Sequence, residues 1–280
     1  MRVIHSSEIV RNIKEMCIHT NYELSADVKN AIIESSKVEK SELGAHILNK
    51  LCENLEIASI DQIPICQDTG MAVIFVKLGQ EVLIEGDYLE DAINEGVRLG
   101  YSEGYLRKSV VKDPIERVNT KDNTPAVIHY ELIKGDRVEI TVAPKGFGSE
   151  NMSRVYMLKP SDGVAGVKNA VLETVKLAGP NACPPIVVGV GIGGTFEKCA
   201  LLAKKALTRD INLRNEKEHI RKLEEELLSE INHLGIGPGG LGGVTTALGV
   251  NIETYPTHIA GMPVAINICC HVNRHLTRVI

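Results

Sequence analysis

The sequence has few aromatic residues and no long apolar run. Tryptophan is absent, and Phe, Trp and Tyr together make up 4% of the 280 residues, so a core must be built from aliphatic side chains. No stretch approaches the ~18 consecutive apolar residues of a membrane-spanning helix, and the N-terminus lacks the apolar segment of a signal peptide. We therefore expect a cytoplasmic protein with no membrane partner.

A basic surface is also lacking. The net charge is −5, and the 31 Lys and Arg residues do not gather into a stripe or a tail. Nucleic acid is not an expected partner, because binding to its phosphates requires clustered cations. A small anionic ligand remains compatible with this composition, since a few local cations are enough to hold one.

The seven cysteines show neither a CxxC motif nor the pattern of a disulfide framework. An odd, scattered set without a signal peptide indicates a reducing compartment. Cys66, Cys183 and Cys270 lie in predicted loops or at a strand end, where a metal ligand or a nucleophile is expected. Spacing alone does not separate that role from the more common one of a small buried apolar side chain. Three others lie on predicted helices: Cys17, Cys52 and Cys199.

Hydrophobic periodicity predicts an α/β chain with a mixed sheet, surrounding helices and a helical N-terminal portion. The predicted helices cover residues 6–18, 25–56 (with a break near 41–44), 87–100, 162–177, 196–207 and 215–232. The predicted strands cover residues 71–78, 185–190, 244–252 and 263–268, the last being the final strand, with a hairpin formed by 125–132 and 137–142. No repeat or linker interrupts this pattern, so we expect a single domain over residues 1–280.

Glycines gather in three segments, residues 145–149, 191–195 and 235–243. The second lies between a predicted strand and a predicted helix, where backbone N–H groups could meet an anion. A tight turn explains it equally well, because its spacing matches neither a phosphate loop nor a dinucleotide fingerprint. The other two segments are likewise open between turns and a close approach of backbone to a ligand.

Several longer motifs, taken together, resemble the class I (iron–sulfur) fumarate hydratases. They are residues 65–70 (ICQDTG), 145–150 (KGFGSE), 189–195 (GVGIGGT), 256–261 (PTHIAG) and 270–275 (CHVNRH). The motifs follow the family's order over nearly the whole chain. More narrowly, the chain resembles the α subunit of the two-subunit form, which is shared with L-tartrate dehydratase.

The resemblance implies a [4Fe–4S] cluster with one open iron, held by Cys66, Cys183 and Cys270. Thiolates suit such clusters, and an open iron is a Lewis acid toward substrate oxygen atoms. The implied activity is that of a hydro-lyase, the reversible hydration of fumarate to (S)-malate.

The resemblance also implies roles for residues around the small dicarboxylic acid. Asp68 and His258 are the implied catalytic residues, and Arg107 matches an arginine that binds a substrate carboxylate through both oxygens. The remaining implied substrate-binding residues are Gln67, Gly148, Gly193 and Gly194. One departure from the family is Phe147, where some fused-chain members have Gly.

The fused members carry a further C-terminal domain that supplies arginines, a lysine and a threonine base. This sequence stops at Ile280, so we expect those groups on a separate β subunit, with a dimer of α–β pairs as the family's assembly. The chain alone is then expected to hold a cluster but to be catalytically incomplete.

Other interpretations stay open. L-Tartrate dehydratase and mesaconate hydratase share the cluster chemistry and differ in one substituent of the substrate. A zinc site is a second possibility, because Cys270, His271 and His275 could gather if the two histidines share a helical face. A third is a non-catalytic cluster that senses iron or oxygen.

Overall fold

The structure is a computed structural model that describes all of residues 1–280. It confirms the predicted mixed α/β fold. The helices are α1 (Ser6–Tyr22), α2 (Ala26–Val38), α3 (Glu42–Asp61), α4 (Leu89–Glu103), α5 (Phe147–Glu150), α6 (Gly163–Ala178), α7 (Phe196–Ala206) and α8 (Glu218–Asn232). The strands are β1 (Arg2–His5), β2 (Met71–Gly79), β3 (Val82–Glu85), β4 (Val127–Ile133), β5 (Val138–Lys145), β6 (Arg154–Leu158), β7 (Ile186–Gly193), β8 (Ala247–Tyr255), β9 (Met262–Cys269) and β10 (Leu276–Val279). No helix is long and apolar enough to cross a lipid bilayer.

The chain forms two compact units. Unit 1 comprises Met1–Ser25, Leu55–Phe147 and Arg274–Ile280, and unit 2 comprises Ala26–Asn54 and Gly148–Asn273. Each unit has its own four-stranded sheet, and unit 1 also has a two-stranded sheet of β1 and β3. The core of each unit is mainly aliphatic, as the shortage of aromatic residues led us to expect.

Unit 1 contains a four-stranded sheet in the order β10-β5-β2-β4. Strand β2 pairs in parallel with β4 and antiparallel with β5, while β10 adds to the other edge of β5. The predicted hairpin of residues 125–132 and 137–142 is therefore wrong. The chain does turn at Gly135, which has a φ of 91°, but β2 occupies the place between the two strands and hydrogen-bonds to both.

Helices α1 and α4 pack against each other in unit 1 over two glycines of α4. A Cβ atom added at Gly96 would lie 2.8 Å from Cβ of Ile13, and one added at Gly100 would lie 2.8 Å from Cβ of Cys17. This close approach buries Cys17 completely. Burial raises the pKa of the Cys17 thiol to about 12, which disfavours the thiolate that a metal ligand requires.

Unit 2 contains a four-stranded sheet in the order β6-β9-β7-β8, with β7 parallel to β8 and antiparallel to β9. Alternate residues of β7 face opposite sides of the sheet. Val188 and Val190 join the core formed with α6 and α8. Gly189 and Gly191 face α7, where an added Cβ would lie 2.2 Å from the carbonyl oxygen of Ala203 and 2.0 Å from that of Cys199.

Two of the four glycines in the 189–195 motif are therefore explained by packing. Gly189 and Gly191 allow α7 to lie directly on the sheet. The prediction that residues 263–268 form the final strand is wrong, since β10 follows β9. Strand β10 has only four residues and includes a charged one, Arg278, so it has no apolar run to mark it.

Candidate active site

A loop of unit 1, residues 62–70, carries three of the predicted site residues. Buried side chains hold its backbone by hydrogen bonds. The Tyr101 hydroxyl points at the carbonyl oxygens of Thr69 and Gly70, at 2.9 and 3.1 Å. The Asn123 side-chain amide donates to the Gly70 carbonyl at 3.1 Å. Burial raises the pKa of Tyr101 far above its ordinary value, so its hydroxyl remains a donor. These contacts hold the backbone that follows Cys66.

The Asp68 carboxylate is oriented by two backbone N–H groups. Its Oδ1 accepts from Gly70 at 3.0 Å and its Oδ2 from Phe147 at 2.9 Å. A Cβ atom at Gly146 would lie 3.1 Å from Oδ2, so this glycine permits the close approach. The Phe147 side chain is exposed. This departure from the family therefore contacts Asp68 through its backbone N–H and not through its ring. Gly148 has open space where a Cβ would lie.

Arg274 holds the same loop and was missed by the sequence analysis. It is 3% exposed, and its Nη2 donates to the Asp68 carbonyl at 2.5 Å while its Nε donates to the Pro144 carbonyl at 3.3 Å. A buried permanent cation thus lies beside the backbone of Asp68. Its place in the 270–275 motif was visible in the sequence, but its contact with Asp68 was not.

Arg107 is tied to this loop through its backbone. The Thr69 hydroxyl accepts from the Arg107 N–H at 2.9 Å and lies 3.2 Å from the Arg107 carbonyl oxygen. The guanidinium itself is exposed. The Cys66 thiol lies 3.4 Å from Oε1 of Gln67. Unit 1 therefore brings four predicted residues onto one pair of linked loops: Cys66, Gln67, Asp68 and Arg107.

Unit 2 brings the segments of Cys183 and Cys270 together at one end of its sheet. Cys270 directly follows β9, and Cys183 lies in the turn that leads into β7, which pairs with β9. His271 Nδ1 lies 3.1 Å from the Cys183 carbonyl oxygen. The backbone of Cys183 adopts a left-handed conformation with φ 52° and ψ 62°, so its turn is sharply defined.

The three predicted ligands are accessible, as thiolate ligands must be. Cys183 is exposed and Cys66 and Cys270 are half-buried, whereas Cys17, Cys199 and Cys269 are buried. Cys52, on helix α3, is also half-buried, so exposure alone does not exclude it. Desolvation also raises the pKa of the Cys199 thiol. Soft, accessible thiols in loops fit an iron–sulfur centre in donor chemistry. Within either unit, no three His, Cys, Asp or Glu side chains lie close enough to form a metal site.

The zinc alternative rested on a helical segment at residues 270–275. That premise is wrong: this segment is irregular and leads into β10. His271 and His275 therefore do not share a helical face.

Gly193 and Gly194 both have positive φ, 93° and 70°, and pack too tightly for a side chain. A Cβ atom at Gly193 would lie 2.0 Å from the Tyr255 carbonyl oxygen. Gly194 lines an open cavity of about 430 Å³ that it shares with His258 and Lys198. The Lys198 ammonium lies 4.6 Å from the centre of the Tyr255 ring. Unit 2 thus places two predicted residues, Gly194 and His258, on one cavity.

The orientation of His258 follows from a local hydrogen bond. Its Nδ1 accepts from the Ala260 N–H at 3.2 Å. A neutral imidazole with Nδ1 as acceptor carries its proton on Nε2. His258 is exposed, so this N–H can reach a ligand in the cavity.

Comparison with known proteins assigns the family. A family model described as fumarate hydratase (Fumerase) matches residues 10–279. A Methanocaldococcus jannaschii protein with the provisional name L(+)-tartrate dehydratase subunit alpha is 46% identical over 275 residues, covering 96% of this chain and 95% of its own. The L(+)-tartrate dehydratase subunit alpha proteins of Escherichia coli K12 and Shigella boydii serotype 4 are each 34% identical, covering 97% of this chain and 89% of their own. The chain belongs to the fumarate hydratase (Fumerase) family of hydro-lyases.

Proposed function

We propose that this chain is the α subunit of an iron–sulfur hydro-lyase that reversibly removes water from a small 2-hydroxydicarboxylic acid. The observation that carries the proposal is the pair of linked loops in unit 1. There Cys66, Gln67 and Asp68 follow one another on a fixed backbone to which Arg107 is tied. Such a pair of loops can offer a guanidinium to a small anion, with a thiolate for the cluster and a carboxylate beside it.

The cluster ligands in this proposal are Cys66, Cys183 and Cys270. Their accessible thiols and the His271 contact between the segments of Cys183 and Cys270 support the assignment. When bound, a [4Fe–4S] cluster with one open iron supplies a Lewis acid for the hydroxyl and carboxylate oxygens of the substrate.

Arg107 and Gln67 are proposed to bind the substrate, and Asp68 is proposed as a catalytic residue beside them. A guanidinium binds both oxygens of a carboxylate in one plane, and the exposed Arg107 is free to do so because its backbone, not its side chain, is used to anchor the loop. The Asp68 carboxylate, held by two N–H groups, keeps its position as the substrate enters. Backbone at Gly148, Gly193 and Gly194 completes the proposed contacts.

His258 is proposed as a catalytic residue that donates a hydrogen bond to the hydroxyl group that leaves. In the dehydration direction a C–H and a C–O bond break on adjacent carbons, a C=C bond forms, and the hydroxyl leaves as water after gaining a proton. The Nε2–H of His258 is oriented to donate a hydrogen bond to that hydroxyl, because Nδ1 accepts from the Ala260 N–H.

A β subunit is proposed as the partner that supplies the base for the C–H proton. The relatives that match this chain over its whole length are named as alpha subunits. Neither Asp68 nor His258 is assigned that role here. We propose a dimer of α–β pairs as the assembly.

Three substrates are carried forward. The family description names fumarate, which makes the fumarate/(S)-malate pair the first candidate. The relatives named as L(+)-tartrate dehydratase subunits support L-tartrate equally, and mesaconate hydration is the third possibility. These acids differ from one another by one hydroxyl or one methyl group.

The test is anaerobic reconstitution of the chain with its β subunit, followed by measurement of turnover with (S)-malate, L-tartrate and mesaconate. We expect a brown protein with broad visible absorption and kcat/KM favouring one of the three acids. The Cys183→Ser variant should lose both colour and turnover. Its matched control, Cys52→Ser, should keep both. A colourless, zinc-containing protein, or a coloured one that turns over none of the acids, would overturn the proposal in favour of a zinc site or a sensor.

A further inference from the structure

The glycine-rich loop formed by Gly237–Gly243, here called the glycine loop, has no role in the proposed function. Its five glycines all have positive φ: 69° at Gly237, 64° at Gly239, 75° at Gly240, 88° at Gly242 and 133° at Gly243. Side chains rarely adopt these conformations. The sequence left open whether this backbone approaches a ligand or only turns.

The glycine loop packs on the turn that carries Cys183. The Gly239 N–H donates to the Pro184 carbonyl at 2.8 Å. A Cβ atom at Gly240 would lie 2.4 Å from Cβ and 2.6 Å from Cα of Pro180. The loop therefore touches the residues on both sides of Cys183, and Gly240 has no room for even a methyl group.

The Cys183 turn is also held from within and from β9. The Cys183 N–H donates to the Pro180 carbonyl at 3.0 Å, and its own carbonyl oxygen lies 3.1 Å from His271 Nδ1. The turn thus has contacts to the glycine loop on one side and to the residue after Cys270 on another. Because Cys183 has left-handed backbone angles, a shift of its neighbours would redirect the thiol.

The far end of the glycine loop is anchored to other parts of unit 2. Gly237 donates its N–H to the Thr246 hydroxyl at 3.1 Å. The Glu39 carboxylate accepts the N–H groups of Val244 and Thr245, each at 2.9 Å. An added Cβ at Gly243 would lie 2.7 Å from Glu39 Oε1. The loop is thus tied down at both ends and presents Gly239 and Gly240 to the Cys183 turn.

We propose that the glycine loop positions the Cys183 thiol, and that Gly240 is the positioning residue at its contact with Pro180. This deepens the proposed function, since it rests on Cys183 being a cluster ligand. Groups that orient metal ligands typically affect metal affinity or activity about 10–100-fold when altered. The glycine loop would do so through backbone shape alone.

The test compares Gly240→Ala with Gly242→Ala. Both place a methyl group at a left-handed position, but Gly242 has open space where its Cβ would lie, whereas Gly240 meets Pro180. In the reconstituted complex with the β subunit, we measure iron and sulfide content and the spectrum of the reduced cluster. Gly240→Ala should retain the cluster about 10–100-fold more weakly against a chelator than Gly242→Ala, because the two variants share the backbone strain and only Gly240→Ala meets Pro180.

A second readout does not require the cluster. The alkylation rate of Cys183 in the iron-free protein, followed by peptide mapping, should change in Gly240→Ala and stay unchanged in Gly242→Ala. If Gly240→Ala fails to fold, Glu39→Gln loosens the far anchor without a clash and should shift the same rate. Equal cluster retention and equal alkylation in both glycine variants would overturn the role of the loop. A Cys183→Ser protein that keeps its cluster would instead overturn the ligand assignment, so the two failures are distinguishable.

Discussion

At the scale of single residues, Arg274 shows how a buried charge can hold the backbone of an exposed site in position. Its guanidinium makes hydrogen bonds to two carbonyl oxygens, those of Asp68 and Pro144. Hydrogen bonds from a charged donor are stronger than neutral ones. Arg274 therefore fixes the position of the Asp68 backbone. The Asp68 carboxylate is oriented separately, by the N–H groups of Gly70 and Phe147.

We expect Arg274→Gln to lower kcat of the reconstituted enzyme by about 10–100-fold, as is usual for residues that orient others at a metal site. KM should change less, because Arg107 and not Arg274 is assigned to the substrate carboxylate. Arg274→Lys keeps the charge and one donor and should recover part of kcat. A Gln variant with normal kcat, or a loss confined to KM, would contradict this positioning role.

His258 allows a test that separates proton transfer from hydrogen bonding. In His258→Asn the side-chain amide overlaps the Nδ1 position and the donor at Nε2 is lost, while in His258→Gln a donor remains near Nε2. Because general acid catalysis contributes about 10²–10⁴-fold, both variants should lose kcat if His258 transfers a proton. Recovery in the Gln variant alone would show that hydrogen bonding suffices, and full activity in both would remove His258 from the site. The exposed position of His258 keeps the fold unaffected in either variant.

At the scale of elements, the Glu39 carboxylate anchors the loop that packs on the Cys183 turn. Burial alone would raise the pKa of Glu39, but N–H groups of Ser41, Val244 and Thr245 outweigh burial and lower it below its ordinary value of 4.5. A carboxyl whose pKa is lowered by folding contributes stability above its unfolded-state pKa and loses it as the pH falls through the folded one.

We therefore expect Glu39→Gln to lower the free energy of unfolding by about 1 kcal/mol at neutral pH, near the lower end for charged hydrogen bonds because the group is partly exposed. The difference from the unaltered protein should stay constant down to about pH 4.5 and shrink below it. Denaturant titrations at a series of pH values measure this. A difference that grows on acidification would contradict the sign of the pKa shift.

Prediction of the helices succeeded because their apolar period lies within one segment. Prediction of strand pairing failed because the paired strands are distant in the sequence. The apolar stripe of α8, which includes Leu223 and Leu227, is buried as its helical period predicts. Residues 125–142 look like a hairpin because two apolar runs flank Lys134–Asp136. The strand that separates them, β2, precedes both in the chain, and no pattern within the hairpin segment reveals it.

At the scale of the whole molecule, both units carry proposed site residues. Unit 1 provides Cys66, Asp68 and Arg107, and unit 2 provides Cys183 and Cys270. The chain has a net charge of −5, so the attraction for a dianionic substrate must come from a few local cations rather than from the overall field.

We expect the cluster-loaded chain to turn over substrate at least about 10²-fold more slowly without its β subunit than with it, since a general base contributes about 10²–10⁴-fold. Steady-state assays with the preferred acid, before and after addition of the β subunit, measure this difference in turnover. The cluster spectrum of the chain alone serves as the control that the ligands are in place. Comparable turnover by the chain alone would place the base among its own residues.

The sequence by itself determined the α/β class, most of the helices and the family. Apolar periodicity and motif order are properties of consecutive residues, and these survive without any knowledge of contacts. The tertiary structure decided what connects distant segments: Arg274 meets Asp68 across 206 positions, and the glycine loop meets the Cys183 turn. Such contacts depend on how helices, strands and loops pack against one another, which brings distant residues within hydrogen-bonding or van der Waals distance. No local pattern in the chain encodes which glycine will lie against which proline.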